Sequence, residues 1–185
     1  MQSVLGIQNA HHYWQEVVQP NAIEYRRTRS ARSAFNLATS LWHLQEWVVV
    51  QMNPDASKKA LESEKSKLMQ ALLQQCPELG VLHDIATASK HAMVSSPKGD
   101  VAASSAEITA MHLSFAGSQP VTEHEAEMLI ELKDGSVKKL EQVLGTVFNY
   151  WNHYLPILLA PAGAAEQARG DHIHASGNFD FHAEN

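Results

Sequence analysis

Six apolar residues, Ala34, Leu37, Ala38, Leu41, Leu44 and Val48, recur along one stretch of the chain at intervals of three and four. That period turns all six to one side of a helix and predicts a long helix from about Ile23 to Gln51. Asn53-Pro54-Asp55 ends it, because proline pushes the residue before it out of helical geometry. A shorter helix is expected over residues 8–19, with Pro20 either opening the next helix or kinking a longer one. Residues 57–75 read as another amphipathic helix, with Leu61, Leu68, Leu72 and Leu73 inside and Lys58, Lys59, Glu62, Glu64, Lys65 and Lys67 outside. Pro77 breaks it and opens a further helix, expected to reach Met93, and residues 95–100 read as a loop.

The period then changes. Met111, Leu113 and Phe115 alternate with Ala110, His112 and Ser114, and Met128, Ile130 and Leu132 repeat the alternation. A period of two marks strands, and Asp134-Gly135 marks a tight turn of type I′. Helical spacing returns over residues 139–155, with Leu140, Val143, Leu144, Val147, Trp151 and Tyr154 on one face. The expected fold is mainly α: a bundle of four to five helices with a small antiparallel β-hairpin or three-stranded insert, at about residues 106–138, before the last helix. Residues 1–160 form one domain. Residues 161–185 are an Ala/Gly/His-rich tail, expected to dock on the neighbouring subunit of a homo-oligomer, a dimer by preference, with Phe179 and Phe181 as anchors.

Composition narrows the function classes. The chain has 185 residues, 44% of them hydrophobic and 18% charged, with a net charge of −6. That describes a folded domain with enough chain to bury a core, and it argues against a basic nucleic-acid surface covering the whole protein. A local patch remains open: Arg26, Arg27, Arg29 and Arg32 form a basic run that could hold an anion or contact a nucleic acid, or could simply be salt-bridged at a helix start. Cys76 is the one cysteine, so no intrachain disulfide is possible, and its place before Pro77 suits a structural role. The first ten residues carry neither a basic region nor a long apolar run, and no apolar block approaches the length of a membrane span. No signal peptide, no membrane partner and a cytoplasmic location are the expectations.

Candidate chemistry lies on two polar lines. Arg29, Arg32, Asn36, Thr39, His43 and Glu46 are separated by 3, 4, 3, 4 and 3 residues, which sets them on one helical stripe. Asp84, Thr87 and His91 are spaced 3 and 4 on the helix after Pro77, with Lys90 beside them. Polar stripes are ordinarily the solvated faces of helices. Trp42 and Trp47 flank His43, however, which suggests a helix buried over much of its girth. If the two lines meet, His43, Glu46, Asp84, Lys90 and His91 would be the catalytic candidates, and Arg29, Arg32, Asn36 and Thr87 the ligand-binding ones. A carboxylate beside either histidine would fix its tautomer and raise its basicity.

The 11 histidines do not by themselves make a metal protein. No His-Glu-x-x-His occurs, and no Glu-x-x-His stands on the bundle helices. His12 with Glu16, and His172, His174 and His182 in the tail, are weaker sets. His112 falls on a strand, His124 in a loop, and His153 near the end of the last helix. No Gly-x-Ser-x-Gly elbow, Walker loop or Gly-x-Gly-x-x-Gly is present, so no cofactor is named.

Three segments form a combination. They are Leu41-Trp42-His43-Leu44-Gln45-Glu46-Trp47-Val48, then Cys76-Pro77-Glu78-Leu79 with Asp84-Ile85-Ala86-Thr87-Ala88-Ser89-Lys90-His91-Ala92, and then Asp134-Gly135 leading to the helix of Trp151. Over about residues 12–156 the combination resembles an uncharacterised family of small bacterial helical-bundle proteins, with a more distant similarity to HEPN-like domains. That class includes ribonuclease toxins and nucleotide- or nucleic-acid-associated proteins, in which an Arg and a His four to six residues later share a helix at the active site. Here the Asp84–His91 segment supplies the histidine without that arginine, and Arg169 with His174 matches the spacing in the tail. The resemblance implies a bundle in which Asp84, Lys90 and His91 face a groove. Three functions are then in play: ligand or partner binding through a groove around His43, Asp84 and His91; a hydrolase using that groove for general acid–base or metal-assisted chemistry; and a non-catalytic dimeric interaction module whose polar seam sets packing register.

Overall fold

The computed structural model describes residues 6–88, 101–116 and 119–160, and gives the backbone alone for residues 102–116 and 119–126. The chain opens with α1 (Ala10–Tyr13), a π-helical turn (Trp14–Val18) and α2 (Gln19–Thr28), which run on without a break. The wide turn lies directly before Pro20. In an unbroken α-helix that ring would press on the carbonyl of Glu16, so the local widening answers the proline rather than ending the helix.

The long helix of the sequence reading is two helices. α3 runs Ala31–Met52, and the corner before it is made by Arg29 in left-handed backbone, φ 43°. Hydroxyl chemistry makes this corner. Ser30 accepts from the N–H of Ser33 at 3.2 Å and so caps α3, while Thr28 donates back to the Glu24 carbonyl at 2.9 Å. All six residues of the apolar stripe, Ala34 to Val48, are buried.

α4 (Lys58–Gln75) follows, capped by Ser57, and then α5 (Glu78–Ala88). α4 has one fully buried residue, Leu72, whereas α5 buries six of its 11. Next come β1 (Val101–Ala116), β2 (Gln119–Leu132) and β3 (Val137–Lys139), antiparallel in the order β1-β2-β3, and then α6 (Leu140–Leu158). The expected three-stranded insert is present, longer than the spacing indicated, and it places His124 in β2 rather than in a loop. The Asp134-Gly135 turn is also present, but only Gly135 has positive φ, at 82°, so it is not type I′. The Gly135 N–H reaches the Leu132 carbonyl and the Leu132 N–H reaches Ser136, the arrangement of a three-residue loop closed by a glycine bulge.

α6 packs on α3, α5 and the sheet, burying Leu140, Val143, Leu144, Val147 and Trp151. Its apolar face continues through Leu155 rather than Tyr154, and the helix passes Pro156 to Leu158. A proline so near the C-terminus removes a single backbone bond, and a helix tolerates that. No helix among the described residues is long and apolar enough to cross a membrane. Lys90, His91 and the tail with Phe179, Phe181 and its histidines lie outside the described residues.

Candidate functional site

The polar centre of the molecule is on α5. Asp84 is 2% exposed, in a helix otherwise buried through Leu79, Gly80, Val81, Leu82 and Ala86. A carboxylate in such surroundings must be hydrogen-bonded, because isolating its charge from water costs several kcal/mol. Its Oδ1 lies 2.8 Å from Nδ1 of His83, and its Oδ2 accepts from the N–H of Val101, the first residue of β1, at 3.4 Å. The buried carboxylate therefore ties α5 to the root of the β insert.

His83 completes the arrangement. An ionised carboxylate can only accept, so Nδ1 is the donor toward it, and Nε2 is the ring atom left to meet other groups. Thr87 stands one helical turn on, its Oγ1 3.4 Å from Nε2. The ring meets Trp42 of α3 edge to face, with centroids 4.8 Å apart. The His83 side chain is 17% exposed against 1% for Asp84, so the base reaches the surface while its orienting acid does not. An imidazole held this way can accept a proton or a hydrogen bond at one defined atom.

His43 and Glu46 belong to a different network. Nδ1 of His43 lies 3.8 Å from Glu46, and Lys65 of α4 donates to the same carboxylate. His43 beside it, with the bond from Lys65, holds the Glu46 carboxyl down to about 2 against the opposing effect of burial. Tyr13 stacks on Trp47 at 5.2 Å, and burial, with the Glu46 charge beside it, pushes its phenol up to about 12. This network staples α4 to α3, and it is half open to solvent.

The remaining residues of the first polar line face other partners. Arg29 sits at the α2–α3 corner, 3.3 Å from Glu141 of α6, and Arg32 pairs with Glu24 of α2 at 2.6 Å. Burial, with Glu141 adding to it and Arg29 opposing it, raises the neighbouring Tyr25 phenol to about 12. Asn36 is exposed, and its carbonyl accepts from Asn21 at 3.4 Å. The basic run is thus partly salt-bridged within the bundle. Of the second line, Asp84 and Thr87 come together around His83, a residue the stripe of Asp84, Thr87 and His91 passed over. The available signal was the spacing of four from His83 to Thr87 beside an adjacent carboxylate.

The core also holds polar atoms with no hydrogen-bond partner among the described residues: Thr39 Oγ1, the Trp151 indole nitrogen and both amide atoms of Gln45, a residue 1% exposed. No group of three His, Cys, Asp or Glu among the described residues could hold a metal ion. His12 lies 4.0 Å from Glu16 on the surface. Cys76 is buried, and burial, with Glu78 nearby, pushes its thiol up to about 11, the reverse of an activated nucleophile. No family model matches the chain, and neither a curated protein nor a solved structure matches it.

Proposed function

We propose that the protein binds a polar ligand or partner group at His83, with Asp84 as the buried orienting acid, Trp42 as the apolar wall and Thr87 as a second polar contact. One observation carries this reading: a nearly inaccessible carboxylate 2.8 Å from the ring nitrogen of a histidine that itself reaches the surface. That expense of burying a charge is hard to account for by packing alone, since an apolar pair of the same size would fill the space without desolvation cost. The ligand carries a polar group able to hydrogen-bond with Nε2 of His83, a hydroxyl, amine or amide. The proposed site is thus centred on Asp84 and His83, and His43 pairs with Glu46 on α3. The helical bundle is compatible with the HEPN-like resemblance, and the distant class membership stays part of this proposal.

A second reading has its own support. Asp84, His83 and Thr87 stand in the order acid, base, hydroxyl, which is the order that activates a hydroxyl for attack. In that reading the protein is a hydrolase, His83 takes the Thr87 proton, and Asp84 stabilises the imidazolium.

Ligand-observed NMR with a set of small alcohols, amines and amides tests the binding reading. Binders should be lost in His83→Ala and weakened at least tenfold in Asp84→Asn, and kept in His43→Ala. Binders that survive His83→Ala would sink the proposal. Ester hydrolysis lost in Thr87→Val, with binding retained, would favour the second reading over the first.

A further inference from the structure

The two long strands differ at their free edges. Among the described residues β1 is the edge strand of the sheet, and its partner is β2. β3 covers β2 only at residues 129–131, which lie in register with β1 residues 103–105. From Ala106 to Ala116 the insert is a two-stranded ribbon, about 35 Å long at the rise of a strand. The helices meet the sheet at its root, α6 on β2 and β3 and α5 at Val101 and Lys138. A ribbon of two strands is marginal in water by itself and needs a third strand or a covering layer.

The sequence protects one edge and not the other. The stretch of β2 left free by β3, residues 119–128, contains Pro120, Glu123, Glu125 and Glu127. Proline and repeated charge are the devices that stop a strand edge from recruiting another chain. β1 has no proline, lysine or arginine across 16 residues, and its single carboxylate is Glu107. An open edge of that composition would be an aggregation hazard unless the native assembly closes it.

We infer that β1 pairs with β1 of a second copy of this chain, antiparallel about a two-fold axis at Leu113. The register irregularity between Ile108 and Ala110 limits the regular pairing to residues 110–116. About Leu113 that pairing sets Ala110 against Ala116 of the second copy, Met111 against Phe115, and His112 against Ser114. No like charges are opposed, and the apolar alternation of Met111, Leu113 and Phe115 matches itself. The acidic, proline-bearing edge of β2 then ends the enlarged sheet on both sides. A strand that pairs only with its own copy gives a closed dimer, whereas β1 on β2 would propagate into a filament.

Sedimentation of the full chain over a range of micromolar concentrations tests the inference. The expected mass is that of two chains, falling to one in Met111→Lys/Leu113→Lys, with the helical circular dichroism of the bundle unchanged. Leu113→Cys provides the test that does not depend on disrupting the arm. Mild oxidation should give a covalent dimer in that variant and none in the wild type, whose Cys76 is buried. A monomer at every concentration overturns the proposal. So does a dimer that survives the double lysine variant and is lost on deleting residues 163–185, which would assign the interface to the tail. Crosslinking through Glu123→Cys in place of Leu113→Cys would put the contact on β2 and overturn it as well.

Discussion

Two of the histidine–carboxylate pairs among the described residues, one on α5 and one on α3, differ in almost everything but composition. His83 and Asp84 are sequence neighbours on α5, 2.8 Å apart, with the acid out of reach of solvent. His43 and Glu46 are one turn apart on α3, at 3.8 Å, with the Glu46 side chain 44% exposed and shared with Lys65. The helical spacing of the second pair is the one that sequence rules favour, since residues three apart share a face and adjacent residues do not. The structure gives the stronger geometry to the adjacent pair. Burial makes the difference: once Asp84 is turned inward by its apolar neighbours, its carboxylate must find donors nearby, and the flexible ring next to it supplies one. An exposed carboxylate has water as an alternative and settles for a looser bond.

The contrast breaks most visibly at Asp84. Asp84→Ala leaves the His83 ring and the Val101 N–H without their acceptor, and about 2–3 kcal/mol of unfolding free energy should be lost. A fall in the urea midpoint measures it, and a change below about 0.5 kcal/mol would mean that the carboxylate does not anchor α5 to β1. Asp84→Asn is the milder probe. The ring should lose its fixed tautomer, which histidine ¹⁵N shifts report, whereas Glu46→Gln should leave the His83 signals where they are.

Glu46→Gln should cost no more than about 1 kcal/mol at neutral pH, because solvent screens a half-exposed pair. Its signature is in the pH dependence. The Glu46 carboxyl is lower in the folded chain, about 2, than its ordinary value of 4.5. Its contribution is therefore complete above about 4.5 and disappears as the pH falls toward 2. The stability difference between wild type and Glu46→Gln should shrink over that acid window, and a difference that grows on acidification would contradict the assignment. The smallest effect concerns Cys76. Its raised thiol should be alkylated slowly at pH 8 in the wild type, and faster in Asp84→Ala if loosening α5 exposes it.

The apolar stripes of α3 and α6, the strand period and the turn at Gly135 were readable because each is a repeating or locally encoded signal. The break at Arg29 was not. No glycine or proline marks it, and it is written instead in the hydroxyls of Thr28 and Ser30, whose capping bonds compete with a continuous helix. That break is why Arg29 leaves the polar line for Glu141. Asp84 and Thr87 were legible as chemistry-bearing residues, but the ring that joins them was not, because adjacent residues of a helix ordinarily do not face each other. Which face of α3 meets α5 depends on tertiary packing, so the contact of Trp42 with His83 could not be read from spacing. Lys90 and His91 fall outside the described residues, and their part in the groove rests on the sequence alone.

α4 has one fully buried residue and is held to α3 by the Glu46–Lys65 bond and a row of half-covered leucines, while α5 is enclosed along most of its length. Cooperative units with little enclosed apolar surface open ahead of the rest of a domain. The amides of α4 should then exchange with solvent by a local route, and those of α5 around Asp84 only when the whole bundle opens. The Lys65 contact would then act as a latch on α4, and the His83 site on α5 should keep its shape when α4 opens.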